Sequence, residues 1–212
     1  MPLLQSCGML CWIIKLLMRK IYFIVLLLAC KFAFSQSTNQ IINIPDSLTN
    51  EKEIRIYKFV AITNYSELFR IYQTKDKNWN VEFFKCYRAV NEKEKNRFEK
   101  IQVALKTDFD LLWLKIINTD IENLADWDQI KYKLRKKGEI TIERGEYNLN
   151  WEKLKVMDGQ YYEAKIRNGN KLNTVSYSNP EIYLEHYPEV DELNSFVELL
   201  NLLKSEFYEI KE

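Results

Sequence analysis

The chain has 212 residues, with 31 basic and 30 acidic side chains, one histidine, four cysteines and five glycines. So even a balance withholds the clustered cations that nucleic-acid binding needs to displace condensed counterions, and one imidazole cannot build a multi-histidine metal centre. The sequence contains no G-x-G-x-x-G, P-loop, H-E-x-x-H or G-x-S-x-G pattern, so nucleotide cradles, the common zinc sites and the hydrolase elbow lack their parts and no cofactor is expected.

The chain opens with residues 1–17, read as an upstream extension of the reading frame. Residues 18–35 read as a signal peptide. Arg19 and Lys20 precede the apolar run Ile21–Ala29, and Ala33-Phe34-Ser35 suits cleavage before Gln36. The stretch Ile21–Phe34 is shorter than the roughly 20 apolar residues a spanning helix needs, and Lys31 interrupts it. An alternative for the same segment is lipidation, because Leu27-Leu28-Ala29-Cys30 resembles a lipobox whose cysteine is acylated. Either way the chain is expected to be exported, periplasmic or secreted, or held to the envelope by a lipid at Cys30.

Cleavage after Ser35 leaves 177 residues, enough for one domain with its own core. It removes four of the basic residues and no acid, for a net charge of −3. Cys86 is then the one remaining cysteine, so no internal disulfide is possible. Gln36–Asn50 is polar and aperiodic and reads as a flexible linker, with the domain spanning residues 51–212.

Within the domain, Glu53–Ala61, Glu67–Thr74 and Trp79–Val90 are rich in β-branched and aromatic residues and predict a three-stranded meander. Both alternating sets of the third run carry large or apolar residues, Phe83 and Tyr87 on one and Phe84 and Cys86 on the other. That pattern suits a strand covered on both faces. Cys86 accordingly reads as a buried, inert thiol. A charged stretch, Asn91–Lys100, leads to Thr107-Asp108, where the period lengthens to that of a helix: Phe109, Leu112, Trp113, Ile116 and Ile117 share one face. Thr107 or Asp108 can cap it.

Asp120, Glu122, Asp126 and Asp128 read as a solvated connection, since they lack the order and the glycine of a calcium loop. Lys131, Lys133, Arg135, Lys136 and Lys137 form the strongest charge cluster and read as a solvated edge. Ile140 and Ile142 alternate with polar residues. Asp158-Gly159 and Asn168-Gly169 then predict tight turns in a hairpin ladder, with Tyr161, Glu163, Lys165 and Arg167 on its wet face. Leu193, Phe196, Val197, Leu200, Leu203 and Phe207 predict a long terminal helix, with Pro188 suited to its start.

These elements predict a single α+β domain in which antiparallel meanders pack against two amphipathic helices. Tyr161, Tyr177 and Tyr183 are the candidates for a recognition patch, with His186 beside them. Aromatic side chains supply apolar area and a polar tip at once. As a general base His186 would need a nucleophile such as Ser176, Ser178 or Cys86 within reach.

The segment Tyr177-Ser178-Asn179-Pro180-Glu181-Ile182-Tyr183, followed by Tyr187-Pro188-Glu189-Val190-Asp191-Glu192-Leu193 and an amphipathic helix, resembles small uncharacterised exported proteins of AT-rich Gram-negative bacteria. The resemblance takes in most of the domain and implies export, but brings no activity with it. The expected function is non-enzymatic binding of an unidentified protein or envelope component, with membrane contact only through the leader or a lipid. A small hydrolase working through carboxylates or His186 is the alternative.

Overall fold

Strand β1 (Lys52–Val60) lies inside a six-stranded antiparallel sheet, flanked by β2 (Tyr65–Gln73) and β8 (Gln160–Asn168). The sheet continues through β3 (Trp79–Tyr87) to the edge strand β4 (Arg97–Ile101) on one side, and to β9 (Lys171–Ser178) on the other. These features come from a computed structural model that describes residues 37–91 and 93–209. The extension, the signal peptide and Cys30 lie outside the described residues.

Period-two alternation divides the sheet into two faces. Ile54, Ile56, Ile71, Tyr162, Ala164, Ile166, Val175 and Tyr177 point to the first face and belong to the main core. Two helices cover it, as their 3.6-residue period predicts: α2 (Phe109–Asn118) and α5 (Asp191–Glu206). Leu112, Trp113 and Ile116 are buried from α2, and Leu193, Phe196, Val197, Leu199, Leu200 and Leu203 from α5. Asp108 is the cap of α2, accepting from the backbone N–H groups of Asp110 and Leu111. Trp79 pins α2 to β3 by donating its indole N–H to Asp110 at 2.9 Å while its ring stacks on Phe109. The expected α+β architecture of antiparallel meanders under two amphipathic helices is the one observed.

The second face carries Glu53, Arg55, Tyr57, Leu68, Arg70, Phe84 and Cys86. Residues 38–50, within the Gln36–Asn50 stretch read from sequence as a flexible linker, pack here. The segment begins with a short helix, α1 (Thr38–Ile42), whose Ile42 joins Tyr57, Leu68, Phe84 and Cys86 in a smaller apolar cluster. Tyr57 donates its hydroxyl to Asn39 at 2.8 Å. Arg55, wholly buried, donates to the carbonyls of Pro45 and Ser47. Glu53 accepts from the backbone N–H groups of Thr49 and Asn50. The buried charges of β1 thus replace lost water with the backbone of this polar segment, which is why a stretch without apolar periodicity is held in place.

Glu53 also accepts from Arg70 at 2.8 Å, and Arg70 reaches Glu82, which Lys100 meets from β4. Burial works to raise the Glu53 pKa, but the bond from Arg70 and those from Asn50 outweigh it and hold the carboxyl at about 2.

One stretch left without an element gains one, and two local expectations are corrected. The charged stretch Asn91–Lys100 contains most of β4, where an edge position lets Arg97, Glu99 and Lys100 stay in water while the backbone pairs with β3. The hairpin expected to turn at Asp158-Gly159 instead comprises β6 (Glu139–Glu143) and β7 (Glu146–Asn150), turning at Arg144-Gly145 with φ of 53° and 85°. The chain from 151 to 158 is irregular. Pro180, not Pro188, begins a helix, the short α4 (Pro180–His186), and α5 starts three residues beyond Pro188. The Asn168-Gly169 turn does join β8 to β9.

Candidate functional site

The C-terminal end of α5 does not fray into solvent. It passes at Phe207 directly into β10 (Phe207–Glu209), which pairs antiparallel with β5 (Val103–Leu105), the continuation of the chain beyond β4. Phe207 therefore turns away from the helix it was expected to extend. Its ring meets Phe69 edge-on, with centroids 4.8 Å apart. Glu206 anchors the junction by accepting from Lys115 and from the Thr107 hydroxyl. The Lys115 bond leads in holding the Glu206 carboxyl below the usual range against desolvation.

This small second sheet stands over the main one and leaves a cleft of about 300 Å³ between them. Its walls are Ile56, Phe69 and Phe83 from the sheet, Val103 from β5, and Leu200 and Leu203 from α5. Lys58, Glu67 and Lys204 are its charged lining residues, two cations and one acid. Lys58 lies 3.7 Å from Glu67, and Glu67 also accepts from the Tyr65 hydroxyl at 2.6 Å. Lys204 is 3.3 Å from Glu181 on α4. Tyr162 borders the same space, and burial, followed by the fields of Glu181 and Glu67, pushes its phenol pKa up. It stays protonated at neutral pH and donates to Gln160 at 2.7 Å. Chemically the arrangement offers an apolar chamber bordered by a phenol and by two lysines, each paired with an acid, suited to holding a ligand by burial.

The residues singled out from the sequence fall elsewhere. Tyr177 is fully buried, stacked on Phe196 with centroids 4.4 Å apart and donating to the Ala125 carbonyl at 2.6 Å. Tyr183 joins it through Trp127, edge-on at 4.9 Å, and donates to the Leu154 carbonyl. Tyr161 points to the opposite face of the sheet, beside Phe59. The three tyrosines do not form one surface, because Tyr161 and Tyr177 stand on alternate faces of paired strands. His186 packs edge-on against Tyr187, and its Nε2 lies 3.8 Å from a Glu152 oxygen with no hydrogen-bond partner.

Cys86 is completely buried in the smaller cluster, and burial, weakly opposed by Arg88, raises its thiol to about 11. The four acids of the connection after α2 are each engaged separately. Asp120 accepts from Asn123, Glu122 pairs with Lys171, and Asp128 pairs with Lys131. Asp126 caps α3 (Trp127–Ile130) and accepts from the backbone and hydroxyl of Ser176. Desolvation works to raise the Asp126 pKa, but those two bonds bring it below the usual carboxylate range. In the basic run, Lys133 binds Glu192 and Lys136 binds Glu152. Among the described residues no group of three or more acids, histidines and cysteines is placed to share a metal ion, and no helix is long and apolar enough to cross a membrane.

Sequence reasoning missed the cleft because its lining comes from β1, β2, β3, β5, β8, α5 and β10, and no two of those residues form a local motif. The available signal was Phe69 and Phe83, large aromatics that alternate toward the helical face. Compared with protein-family models, with curated proteins and with solved structures, the chain matches none.

Proposed function

We propose that this chain is an exported, non-enzymatic binding protein of the cell envelope, and that its cleft takes an apolar chain ending in an anionic group. One observation carries this reading: a chamber of about 300 Å³ walled by Phe69, Phe83, Leu200 and Leu203, with Lys58 and Lys204 against a single lining acid, Glu67. Burying apolar surface supplies the affinity, at roughly 25 cal/mol per Å². The two ammonium groups, exchanging Glu67 and Glu181 for the ligand, select the charged end. The leader at residues 18–35 supports the address.

Calorimetric titration with decanoate, a small amphiphile of this class, tests the proposal. Wild-type protein is expected to bind it, and Val103→Trp, which fills the chamber from β5, is expected to abolish binding without lowering the melting temperature. Equal affinity in the two proteins, or no binding by wild type, would overturn the assignment.

A further inference from the structure

The β6–β7 hairpin pairs with no other strand among the described residues. Its register sets Ile140 opposite Leu149 and Ile142 opposite Tyr147. Directly opposed residues share a face, so all four side chains stand on one side of the ribbon. They are 73%, 54%, 65% and 80% exposed. The reverse side carries Glu139, Thr141, Glu143, Glu146, Asn148 and Asn150, and Asn150 ties it together by donating to Thr141 at 2.8 Å. This ribbon is amphipathic with its apolar side in water.

A two-stranded hairpin is only marginally stable alone. Here the base is fixed: Lys136 and Glu152 extend the pairing by a backbone hydrogen bond and a 2.8 Å ion pair, and Arg135 stacks over Trp151 at 4.0 Å. The chain beyond is tied to the body where Tyr187 accepts the Leu154 N–H and Lys133 meets Glu192. A positioned, projecting arm of this kind has its apolar side left for a partner.

We infer that the apolar side of the β6–β7 arm is a two-fold interface between copies of this chain. Together with the 40% exposed Trp151, the four side chains present roughly 600 Å² per copy, so a pair would bury roughly 1,200 Å², at the lower end of stable interfaces. None of the four side chains is charged, and the Arg135 guanidinium that stacks over Trp151 stands at the base of the arm, so two copies meet through the four without burying an unpaired ion. Under two-fold symmetry, Ile142 and Tyr147 of one copy rest on Ile140 and Leu149 of the other, and the reverse. Charge argues against an anionic lipid surface as the occupant. Glu143 and Glu146 face each other beside the tip and outnumber Arg144 in the turn between them, and Glu139 lies behind, so approach of the arm to such a surface is net repulsive. Stacking face to face leaves all three acids in water.

The experiment is sedimentation equilibrium over a wide dilution series, using protein recovered from the envelope of cells that express the full chain. Wild type is expected to be dimeric at the concentrated end. Ile142→Glu is expected to self-associate more than about tenfold more weakly, with Tyr147→Ser as a milder second variant, and Thr141→Glu on the polar side is expected to remain dimeric. Both apolar-side variants change exposed residues and should melt like wild type at dilutions where wild type is itself monomeric. A monomer at every wild-type concentration overturns the inference, and so does a dimer indifferent to both apolar-side changes. Flotation of wild type with anionic phospholipid vesicles, lost in Ile142→Glu, would give the face to a membrane and equally overturn it.

Discussion

Arg55 and Glu53, two residues apart on one face of β1, form an ion pair at 2.7 Å with both side chains wholly excluded from water. Such a pair is costly unless its remaining hydrogen-bonding capacity is met. The carbonyls of Pro45 and Ser47, the amides of Thr49 and Asn50, and Arg70 meet it. The charges therefore act as a clasp that holds residues 45–50 against the sheet.

Removing one member should be worse than removing none of the cluster or all of it. Glu53→Gln leaves Arg55 and Arg70 buried without their shared counter-charge and is expected to cost about 3–5 kcal/mol in denaturant unfolding. A midpoint within error of wild type would contradict the clasp.

The same carboxyl sets a pH dependence. Its folded pKa of about 2 lies below its ordinary value of 4.5, so its contribution is fully present above about 4.5 and disappears as pH falls toward 2. The loss amounts to about 3 kcal/mol. In wild type, stability should decline through that window, and the decline should be shallower in Glu53→Gln, as followed by thermal melts from neutral to acid pH.

Gly159 sits at φ 128°, where a Cβ would come within 1.9 Å of the Asn179 side-chain oxygen. That oxygen accepts the Gln160 N–H at 2.7 Å, and Asn179 itself begins α4 in a left-handed conformation. Gly159→Ala combines backbone strain with displacement of the Asn179 side chain from the Gln160 N–H and is expected to lower stability by about 2 kcal/mol or more. An unchanged melting temperature would show that the β8 entry and the α4 start are not coupled.

Cys86 should be silent toward a chromogenic disulfide reagent in the native protein at mildly alkaline pH, because its thiol is both buried and raised to about 11. Labelling should become rapid in denaturant. Fast native labelling would mean that the α1 segment opens readily from the second face of the sheet.

The proposed leader gives a prediction independent of the fold. Mass analysis of the exported protein should find Gln36 at its N-terminus, and a lipid-bearing Cys30 would instead assign an anchored form.

The legible parts of the sequence were those whose burial is one-sided and periodic. Leu112, Trp113 and Ile116, or Leu193, Phe196 and Leu200, announce a helix because each set shares one face over several turns. Strands β1 to β3 announced themselves by β-branched and aromatic content. What stayed hidden was held by polar contacts or by distant chain. Residues 37–50 have no apolar period, and their place is set by Arg55 and Glu53 donating to or accepting from their backbone. Strand β4 is charged on its solvent side, and its pairing with Phe83, Phe84 and Cys86 leaves no local mark. Arg144-Gly145 is a tight turn whose first residue is not one of the usual turn formers. Tyr161 and Tyr177 looked like neighbours in a patch, but their parity sends them to opposite faces.

The cleft under α5 and β10 is the centre of the functional account, and native mass spectrometry of protein purified gently from the envelope addresses it most directly. Wild type is expected to carry a small anionic amphiphile that Val103→Trp lacks. Wild type that emerges empty and stays empty after incubation with decanoate would contradict it.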